Sequence, residues 1–395
     1  MTETLSTQLR YPGAVGFATL PPLALYIHIP WCVRKCPYCD FNSHAAGPEL
    51  PEEAYVDALL TDLDQEMAAV QGRVLSSIFF GGGTPSLFSA NALGRLLRGV
   101  EQRIPFAPDI EITLEANPGT FEQEKFKAYR QTGINRLSIG VQSFQAAKLQ
   151  ALGRIHNGDE AVRAAGMARA AGFDNFNMDL MHGLPDQSLE DALADLRQAI
   201  DLGPTHLSWY QLTVEPNTVF WNQPPELPED DILWDIQEAG QALMAANGFQ
   251  QYEVSAYAQA GRAAKHNLNY WRFGDFIGIG AGAHGKLTFA DGRILRTWKT
   301  RLPKDYLNLA KPFKAGEKLL PVDELPFEFL MNALRLTQGV EAELFSQRTG
   351  LALSQLAQAR REAERKGLLQ VEPDRLAATP RGQLFLNDLL QYFLT

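Results

Sequence analysis

The chain has 395 residues, 45% hydrophobic and 21% charged, which is the composition of an ordinary globular protein and not of a disordered or fibrous one. At roughly 150 residues per domain, this length allows one large domain and a smaller one. Because 46 acidic residues outnumber 36 basic ones and no run of Lys and Arg is present, we do not expect a broad nucleic-acid-binding surface.

The sequence also contains no sign of membrane insertion or export. No apolar stretch approaches the roughly 20 residues that span a bilayer. The polar N-terminus lacks the charged and then apolar layout of a secretory signal. These features predict a cytoplasmic protein.

One pattern repeats from residue 23 to residue 246: an apolar or β-branched run, a turn rich in Gly, Pro or Asn, and a helical segment. The predicted strands span residues 23–29, 76–83, 109–116, 136–143, 175–182 and 206–213. The predicted helices begin near Glu52, Ala90, Phe121, Asp159, Leu189 and Asp230. Six such units predict an α/β fold with parallel strands, either a full or partial barrel or a doubly wound sheet. Functional residues should then lie at the carboxyl ends of the strands.

Two further regions follow this repeat. Residues 251–315 are rich in aromatic residues and Gly, and they predict an irregular or antiparallel extension of the sheet. Residues 316–395 predict three helices, a hairpin and a last helix, as in a small winged-helix-like domain. Since its charges are mixed, we expect this domain to cap the barrel. The predicted units are therefore residues 1–22, 23–250, 251–315 and 316–395.

The three cysteines of the chain, Cys32, Cys36 and Cys39, lie within eight residues of one another, directly after the first predicted strand. This spacing cannot serve as a disulfide framework. Thiolates are the preferred ligands of iron–sulfur clusters, and a 4Fe-4S cluster normally takes four of them. Three cysteines therefore predict a cluster with one iron open to another ligand. The alternative is a closed zinc site in which His44 is the fourth ligand.

Polar and glycine residues also end the later strands. Gly81, Gly82 and Gly83 end the second strand, where glycine allows a ligand to approach the backbone closely. Other candidates lie at or just after successive strand ends: Glu115, Gln142, Arg154 and Asp179. Arg suits a carboxylate, and Gln and Asp suit ribose hydroxyls. Each could instead be an ordinary solvated or capping residue, but together they predict one cavity.

The CxxxCxxC motif with Tyr38, followed by GGGTP, resembles the radical S-adenosylmethionine (SAM) superfamily, and the motifs from LYIHIPWC to DLMHGLP resemble its coproporphyrinogen III dehydrogenase-like branch. The resemblance implies a partial (β/α)6 barrel. It also implies that SAM chelates the open iron of the 4Fe-4S cluster and is cleaved to a 5′-deoxyadenosyl radical. The SAM-contacting positions that it implies are Tyr26, Tyr38, Gly82, Gly83, Thr84, Glu115, Gln142, Arg154 and Asp179.

Two related groups of this branch differ at two places. The dehydrogenases carry a fourth cysteine two residues after the third, where this chain has Phe41. The haem chaperones end their motif at the third cysteine and carry HNxxYW, which matches residues 266–271 here. The resemblance therefore favours a haem chaperone. The haem-binding candidates are His266, Asn267, Tyr270 and Trp271.

An imidazole can ligate haem iron, and aromatic rings offer flat faces to a porphyrin. The same residues could instead be a buried histidine and aromatic core, and another histidine such as His284 could be a ligand. The haem-chaperone resemblance implies haem as cargo, respiratory haemoproteins at the inner face of the membrane as acceptors, a haem donor protein and a homodimer. The alternatives are coproporphyrinogen III dehydrogenase activity and an RNA-modifying radical SAM enzyme, the latter disfavoured by the acidic charge.

Overall fold

The computed structural model describes residue 17, residues 19–120 and residues 123–394. Within these residues one sheet has twelve strands, numbered here β1 to β12 in chain order. They are Leu23–Ile29, Leu75–Gly82, Phe106–Ala116, Arg136–Gln142, Phe176–His182, His206–Gln211, Gln250–Glu253, Ala256–Ala258, Asp275–Ile279, His284–Thr288, Ile294–Lys299 and Lys314–Leu319. Two further ladders pair Trp31–Cys32 with His44–Ala45, and Val340–Glu341 with Arg375–Leu376.

The spatial order of the sheet is β12-β11-β10-β9-β1-β2-β3-β4-β5-β6-β8-β7. The six predicted strands lie side by side and parallel, in chain order, as β1 to β6. The partial barrel of the prediction is therefore confirmed. Its six predicted strands agree with the observed ones to within three residues at either end.

Fifteen helices occur in the described part of the chain, apart from three short 3-10 turns. They are Glu52–Val70, Ala90–Glu101, Gln123–Gln131, Ala146–Ala151, Gly158–Ala170, Leu189–Asp201, Val219–Asn222, Asp230–Ala246, Lys265–Trp271, Pro303–Tyr306, Leu325–Ala333, Glu343–Thr349, Ala357–Arg365, Pro380–Leu384 and Leu386–Gln391. Capping boxes explain two of the predicted starts, because Asn157 and Ser188 each accept from the backbone three residues later. Phe121, where one helix was predicted to begin, lies outside the described residues.

The predicted extension of the sheet is divided between its two edges. Strands β7 and β8 continue the edge beside β6 as antiparallel strands. The chain then crosses to the other edge, where β10, β11 and β12 form antiparallel hairpins. Strand β9 lies between β10 and β1 and pairs with β1 in parallel, so the expectation of a wholly irregular or antiparallel extension was wrong for this strand. Two parallel strands must be joined by a long crossover connection, and the sequence of residues 251–315 alone does not show which distant strand is the partner.

The helix Lys265–Trp271, called here the inner helix, makes that crossing against strands β1, β2 and β9. Residues of a strand alternate between its two faces. On β2, Phe80 joins the hydrophobic core formed with residues such as Leu93 of an outer helix. Phe79, on the opposite face, stacks on His266 of the inner helix with 5.1 Å between the ring centroids. The inner helix therefore lies on the concave face of the sheet, inside the partial barrel.

The C-terminal region forms a second hydrophobic core, which includes Phe329, Phe345 and Leu389. The predicted hairpin is present as a bridge between Leu369 and Ala378. Phe273, Ile294 of β11 and Leu320, which directly follows β12, belong to the same core, so the C-terminal region packs on this edge of the sheet. No helix of the described ranges is both long enough and apolar enough to cross a bilayer.

Candidate functional site

The three cysteines line one cavity of about 270 Å³ at the carboxyl ends of β1 to β6, called here the thiol cavity. The parallel ladder of Trp31–Cys32 with His44–Ala45 closes the loop that carries Cys36 and Cys39. All three thiols are free and partly exposed. Burial raises the pKa of the Cys32 and Cys39 thiols, so metal coordination would have to stabilise their thiolates.

The glycine-rich end of β2 forms one wall of the thiol cavity. Gly82 has a φ of +114°, and a Cβ atom there would approach the ring of His28 to 2.5 Å. Only glycine fits both conditions. The conformation turns the amide of Gly82 towards Glu115, whose Oε2 atom accepts its hydrogen bond at 3.2 Å.

Two acidic side chains line the thiol cavity: Glu115 near the end of β3 and Asp179 in the middle of β5. Burial, and then the neighbouring carboxyl of Asp179, raise the pKa of Glu115 to about 8. Burial also raises the pKa of Asp179, which accepts hydrogen bonds from Ser138 at 2.9 Å and Asn177 at 2.7 Å. Two buried acids of this kind are typical of a binding site, where they would accept hydrogen bonds from an amine or from hydroxyl groups of a ligand.

The opposite wall carries Arg154 and Gln142. Arg154 donates to the carbonyl oxygen of Gly140 at 2.8 Å and to the sulfur of Cys36 at 3.6 Å. Within the described residues, Arg154 Nε and Gln142 Oε1 are buried without a hydrogen-bond partner. Gln142 also has a φ of +63°, an uncommon value for a residue with a side chain. Unsatisfied polar atoms and a strained backbone are typical of a site that a ligand completes.

The thiol cavity brings together eight of the nine candidate SAM-contacting residues. They are Tyr38, Gly82, Gly83, Thr84, Glu115, Gln142, Arg154 and Asp179. The ninth, Tyr26, lies nearby and contacts Nδ1 of His28 at 3.1 Å. The sequence reasoning did not select Ser138 or Tyr210, which also line the cavity. Tyr210 could have been found, because it stands at the end of the sixth strand.

The zinc alternative has no preformed site. In the part of the chain that the structure describes, no three His, Cys, Asp or Glu side chains are close enough to hold a single metal ion. A 4Fe-4S cluster instead takes one thiolate at each iron, so its ligands need not converge on one point. Three thiols around one cavity that also holds the buried acids Glu115 and Asp179 and the partly unsatisfied Arg154 fit such a cluster with SAM.

A second cavity of about 800 Å³ adjoins the first and is called here the aromatic cavity. Its lining residues are Tyr26, His28, Asp40, Phe41, Asn42, Gly82, Glu115, Tyr270, Trp271, Phe276, Gly282, His284, Arg296, Trp298, Lys299, Arg301 and Asn332. Phe41, Gly82 and Glu115 line both cavities. The volume lies in the range of about 300 to 1,000 Å³ that cofactor-sized ligands occupy.

The candidate haem-binding residues divide between this cavity and the protein interior. Tyr270 and Trp271 line the aromatic cavity. His266 is 1% exposed, and its two ring nitrogens contact Ser77 Oγ at 2.9 Å and Tyr270 Oη at 2.8 Å. Asn267 donates to Tyr252 Oη at 3.5 Å. The inner helix therefore contributes the rings of Tyr270 and Trp271 to the cavity wall, whereas His266 is buried and does not line the cavity.

Two family models match this chain. The model described as "Radical SAM superfamily" matches residues 26–199, which include the three cysteines and every other residue that lines the thiol cavity except Tyr210. The model described as "HemN C-terminal domain" matches residues 320–385. Among solved structures, coproporphyrinogen III oxidase (HemN) from Escherichia coli is similar in fold, with a TM-score of 0.81, 22% identity, and coverage of 98% of this chain and 92% of that one.

Curated proteins named "Heme chaperone HemW" match over nearly the whole chain. The protein of Escherichia coli (strain K12) is 56% identical over 95% of this chain and 99% of its own length. The protein of Haemophilus influenzae is 54% identical over 95% of this chain and 99% of its own length. The protein of Bacillus subtilis (strain 168) is 34% identical over 93% of this chain and 98% of its own length. The predicted resemblance is confirmed: the chain belongs to the HemW haem-chaperone family of the radical SAM superfamily.

Proposed function

We propose that this protein is a haem chaperone that holds haem in the aromatic cavity and delivers it to haem proteins. The observation that carries this proposal is the match to HemW proteins over 95% of the chain at 56% identity. The geometry supports it, because a cavity of porphyrin-like size and character lies directly beside the thiol cavity. Phe41 and Gly82 stand between the two.

In the thiol cavity, Cys32, Cys36 and Cys39 would hold a 4Fe-4S cluster whose open iron takes SAM. The bound cluster and SAM supply one-electron chemistry. The residues of the chain would bind and orient SAM. Glu115 and Asp179 would bind its amine and its ribose hydroxyls, and Arg154 would bind its carboxylate. The backbone of Gly82 and Gly83 with the side chains of Tyr38, Thr84, Gln142 and Tyr26 would complete the pocket.

In the aromatic cavity, Tyr270 and Trp271 would form a wall against the porphyrin. His266 would act from behind, because its contact with the Tyr270 hydroxyl fixes the tyrosine ring. Asn267 would fix the start of the inner helix through Tyr252. The guanidinium of Arg335 lies 4.4 Å from the ring of Trp271 and holds that ring from the C-terminal region.

The proposal extends to partners and location. We propose that the protein works in the cytoplasm and at the inner face of the membrane, takes haem from a donor protein and passes it to respiratory haemoproteins. A homodimer is proposed as the transferring form. Size measurement with and without the cluster tests the dimer, and haem transfer to an apo-cytochrome tests the acceptor class.

The second candidate function is oxidative decarboxylation of coproporphyrinogen III, favoured by the likeness in fold to HemN. Identity of 22% supports the shared fold and not the shared reaction. Phe41 stands where the dehydrogenases carry their fourth cysteine, and it is 61% exposed between the two cavities. The residue that distinguishes the dehydrogenase from the haem chaperone therefore lies in the candidate site itself.

One experiment separates the two functions. The protein is reconstituted anaerobically with iron and sulfide, titrated with haem, and then given coproporphyrinogen III, SAM and a reductant. We expect stoichiometric haem binding and no protoporphyrinogen IX. Turnover of coproporphyrinogen III above about 0.01 per second, which is already slow for an enzyme, would contradict the chaperone proposal.

A further inference from the structure

We propose that the imidazole of His284 is the protein ligand of the haem iron, with Arg301 and Arg296 placed for the haem propionates. This inference rests on the proposed function and assigns the iron ligand within it. His284 begins β10 at the rim of the aromatic cavity, directly opposite Trp298 of β11 in the antiparallel ladder. Residues directly opposite each other in a ladder share one face of the sheet, and His284 and Trp298 both line the cavity, where an imidazole and an aromatic ring suit a ligated porphyrin.

The hydrogen bonds of the seven histidines single out His284. Among the residues that the structure describes, His28 and His284 are the two histidines that line the aromatic cavity. Both ring nitrogens of His28 are engaged, with Tyr26 Oη at 3.1 Å and the carbonyl oxygen of Asn42 at 2.9 Å. His284 is exposed, and within the described residues neither of its ring nitrogens has a hydrogen-bond partner.

The other histidines are placed differently. His266 uses both ring nitrogens inside the protein, and so does His206, which contacts Asn177 and Tyr252. His156 and His182 are 4% exposed. His44 lies in the short ladder beside the thiol loop and does not line the aromatic cavity. For an iron ligand, a free nitrogen facing a cavity is the first requirement.

The loop that leads to His284 is fixed from several sides. The amide of Gly280 donates to Tyr306 Oη at 2.9 Å, and the amide of Ala281 donates to Tyr55 Oη at 2.8 Å. The carbonyl oxygen of Ala283 accepts from the amide of Lys299 at 2.9 Å. Gly282 has a φ of +84°, and a Cβ there would come within 2.3 Å of Asn42. A rigid loop holds a ligand in place without help from the iron.

The charges around His284 match the two carboxylates of haem. Arg301 is exposed at the cavity and has no acidic partner among the described residues. Arg296 also lines the cavity and pairs with Glu328 at 2.7 Å. Partial burial, and then these two guanidinium groups, lower the pKa of His284. The imidazole is therefore neutral near pH 7, which is the form that ligates a metal.

The position of His284 also suits a cargo that must leave. The side chain of His284 is exposed, so a haem bound to it would also be open to solvent. A permanently bound cofactor is normally enclosed by the protein. With His28 engaged elsewhere, the cavity offers the iron one imidazole, so the opposite coordination position stays available. An acceptor histidine could occupy that position before the bond to His284 breaks. Haem would then pass by ligand exchange, with no change of iron oxidation state.

The test compares haem titrations of the wild type, His284→Ala and the control Asn247→Ala, all in the full chain. Hemin is the probe, and absorption spectra report both affinity and ligation. We expect His284→Ala to shift the Soret band and to weaken binding about tenfold or more. Asn247→Ala should behave like the wild type, because that exposed side chain bonds only its own helix. Added imidazole should restore the wild-type spectrum in His284→Ala, because it replaces the missing ligand.

A second variant tests the propionate contacts. Arg301→Gln should weaken binding of hemin but not of hemin dimethyl ester, which lacks the carboxylates. An unchanged spectrum and affinity in His284→Ala would overturn the assignment of the ligand and leave the proposed function standing. Loss of binding that imidazole does not restore would also count against ligation. If the wild type itself fails to bind hemin, both the proposed function and this inference fall.

Discussion

The side-chain amide of Asn42 donates a hydrogen bond to the carbonyl oxygen of Ala281, with 2.9 Å between the two atoms. The same nitrogen donates to the carbonyl oxygen of Arg301 at 2.8 Å. Asn42 follows Cys39 by three residues, and Ala281 precedes His284 by three. One asparagine therefore joins the loop of the thiol cavity to the loop of the aromatic cavity.

We expect Asn42→Ala to loosen the loop of residues 280–284. The two side-chain hydrogen bonds together contribute on the order of 1–3 kcal/mol. Hydrogen exchange of the amides of Gly280 and Ala281 should become faster. Asn247→Ala is the matched control, since that exposed side chain contacts only its own helix at Leu243. Equal exchange in both variants would contradict this role.

Replacing any one of Cys32, Cys36 or Cys39 by Ser should abolish the 4Fe-4S cluster. Two thiolates cannot hold a cluster that already lacks its fourth protein ligand. Anaerobic preparations of the variants should contain little iron and acid-labile sulfide and should lack the brown colour of the wild type. A wild-type preparation with stoichiometric zinc and no sulfide would refute the cluster.

Arg154→Ala and Asp179→Ala should weaken SAM binding while the cluster stays in place. Loss of a charge-assisted hydrogen bond costs about 1.5–3 kcal/mol, or about ten- to a hundredfold in affinity. Arg154 also contacts Cys36, so iron and sulfide contents must be measured in the same samples. Unchanged SAM affinity in both variants would show that the residues at the strand ends do not bind SAM.

The pKa of Glu115 gives the apo protein a pH dependence. In the folded protein this pKa is about 8, against an ordinary value of 4.5. The folded protein therefore binds the proton of Glu115 more tightly than the unfolded chain does. The contribution of Glu115 to the free energy of unfolding should be highest at low pH and should decline as the pH rises from about 4.5 to 8. Thermal unfolding without SAM should show a smaller decline in Glu115→Gln over this window. The exposed Glu226→Gln should behave like the wild type, and identical curves for all three would contradict the prediction.

Much of the barrel could be predicted because its signals are local. Each strand from β1 to β6 is a short apolar run followed by a turn and an amphipathic helix, and pairing follows chain order. The site followed from the same rule, since carboxyl ends of parallel strands meet at one edge. Cys32 follows β1, Glu115 lies near the end of β3 and Gln142 ends β4, and all three line one cavity.

The crossing of the chain through the barrel could not be predicted in this way. Nothing near Asp275–Ile279 in the sequence indicates that its partner is β1, about 250 residues earlier. The motif HNLNYW suggested a ring platform, but helical spacing places His266 and Tyr270 one turn apart on a helix that packs inside the sheet. Which of its residues reach the cavity depends on that packing.

The pairing of β9 with β1 determines when the barrel can be completed during synthesis. Until residue 279 has emerged from the ribosome, Leu23–Ile29 is an apolar edge strand with one side unpaired. Such edges recruit other strands, and contacts so distant in sequence form slowly. The nascent chain thus carries an aggregation-prone edge through most of its translation, and a product truncated before β9 would retain that edge permanently.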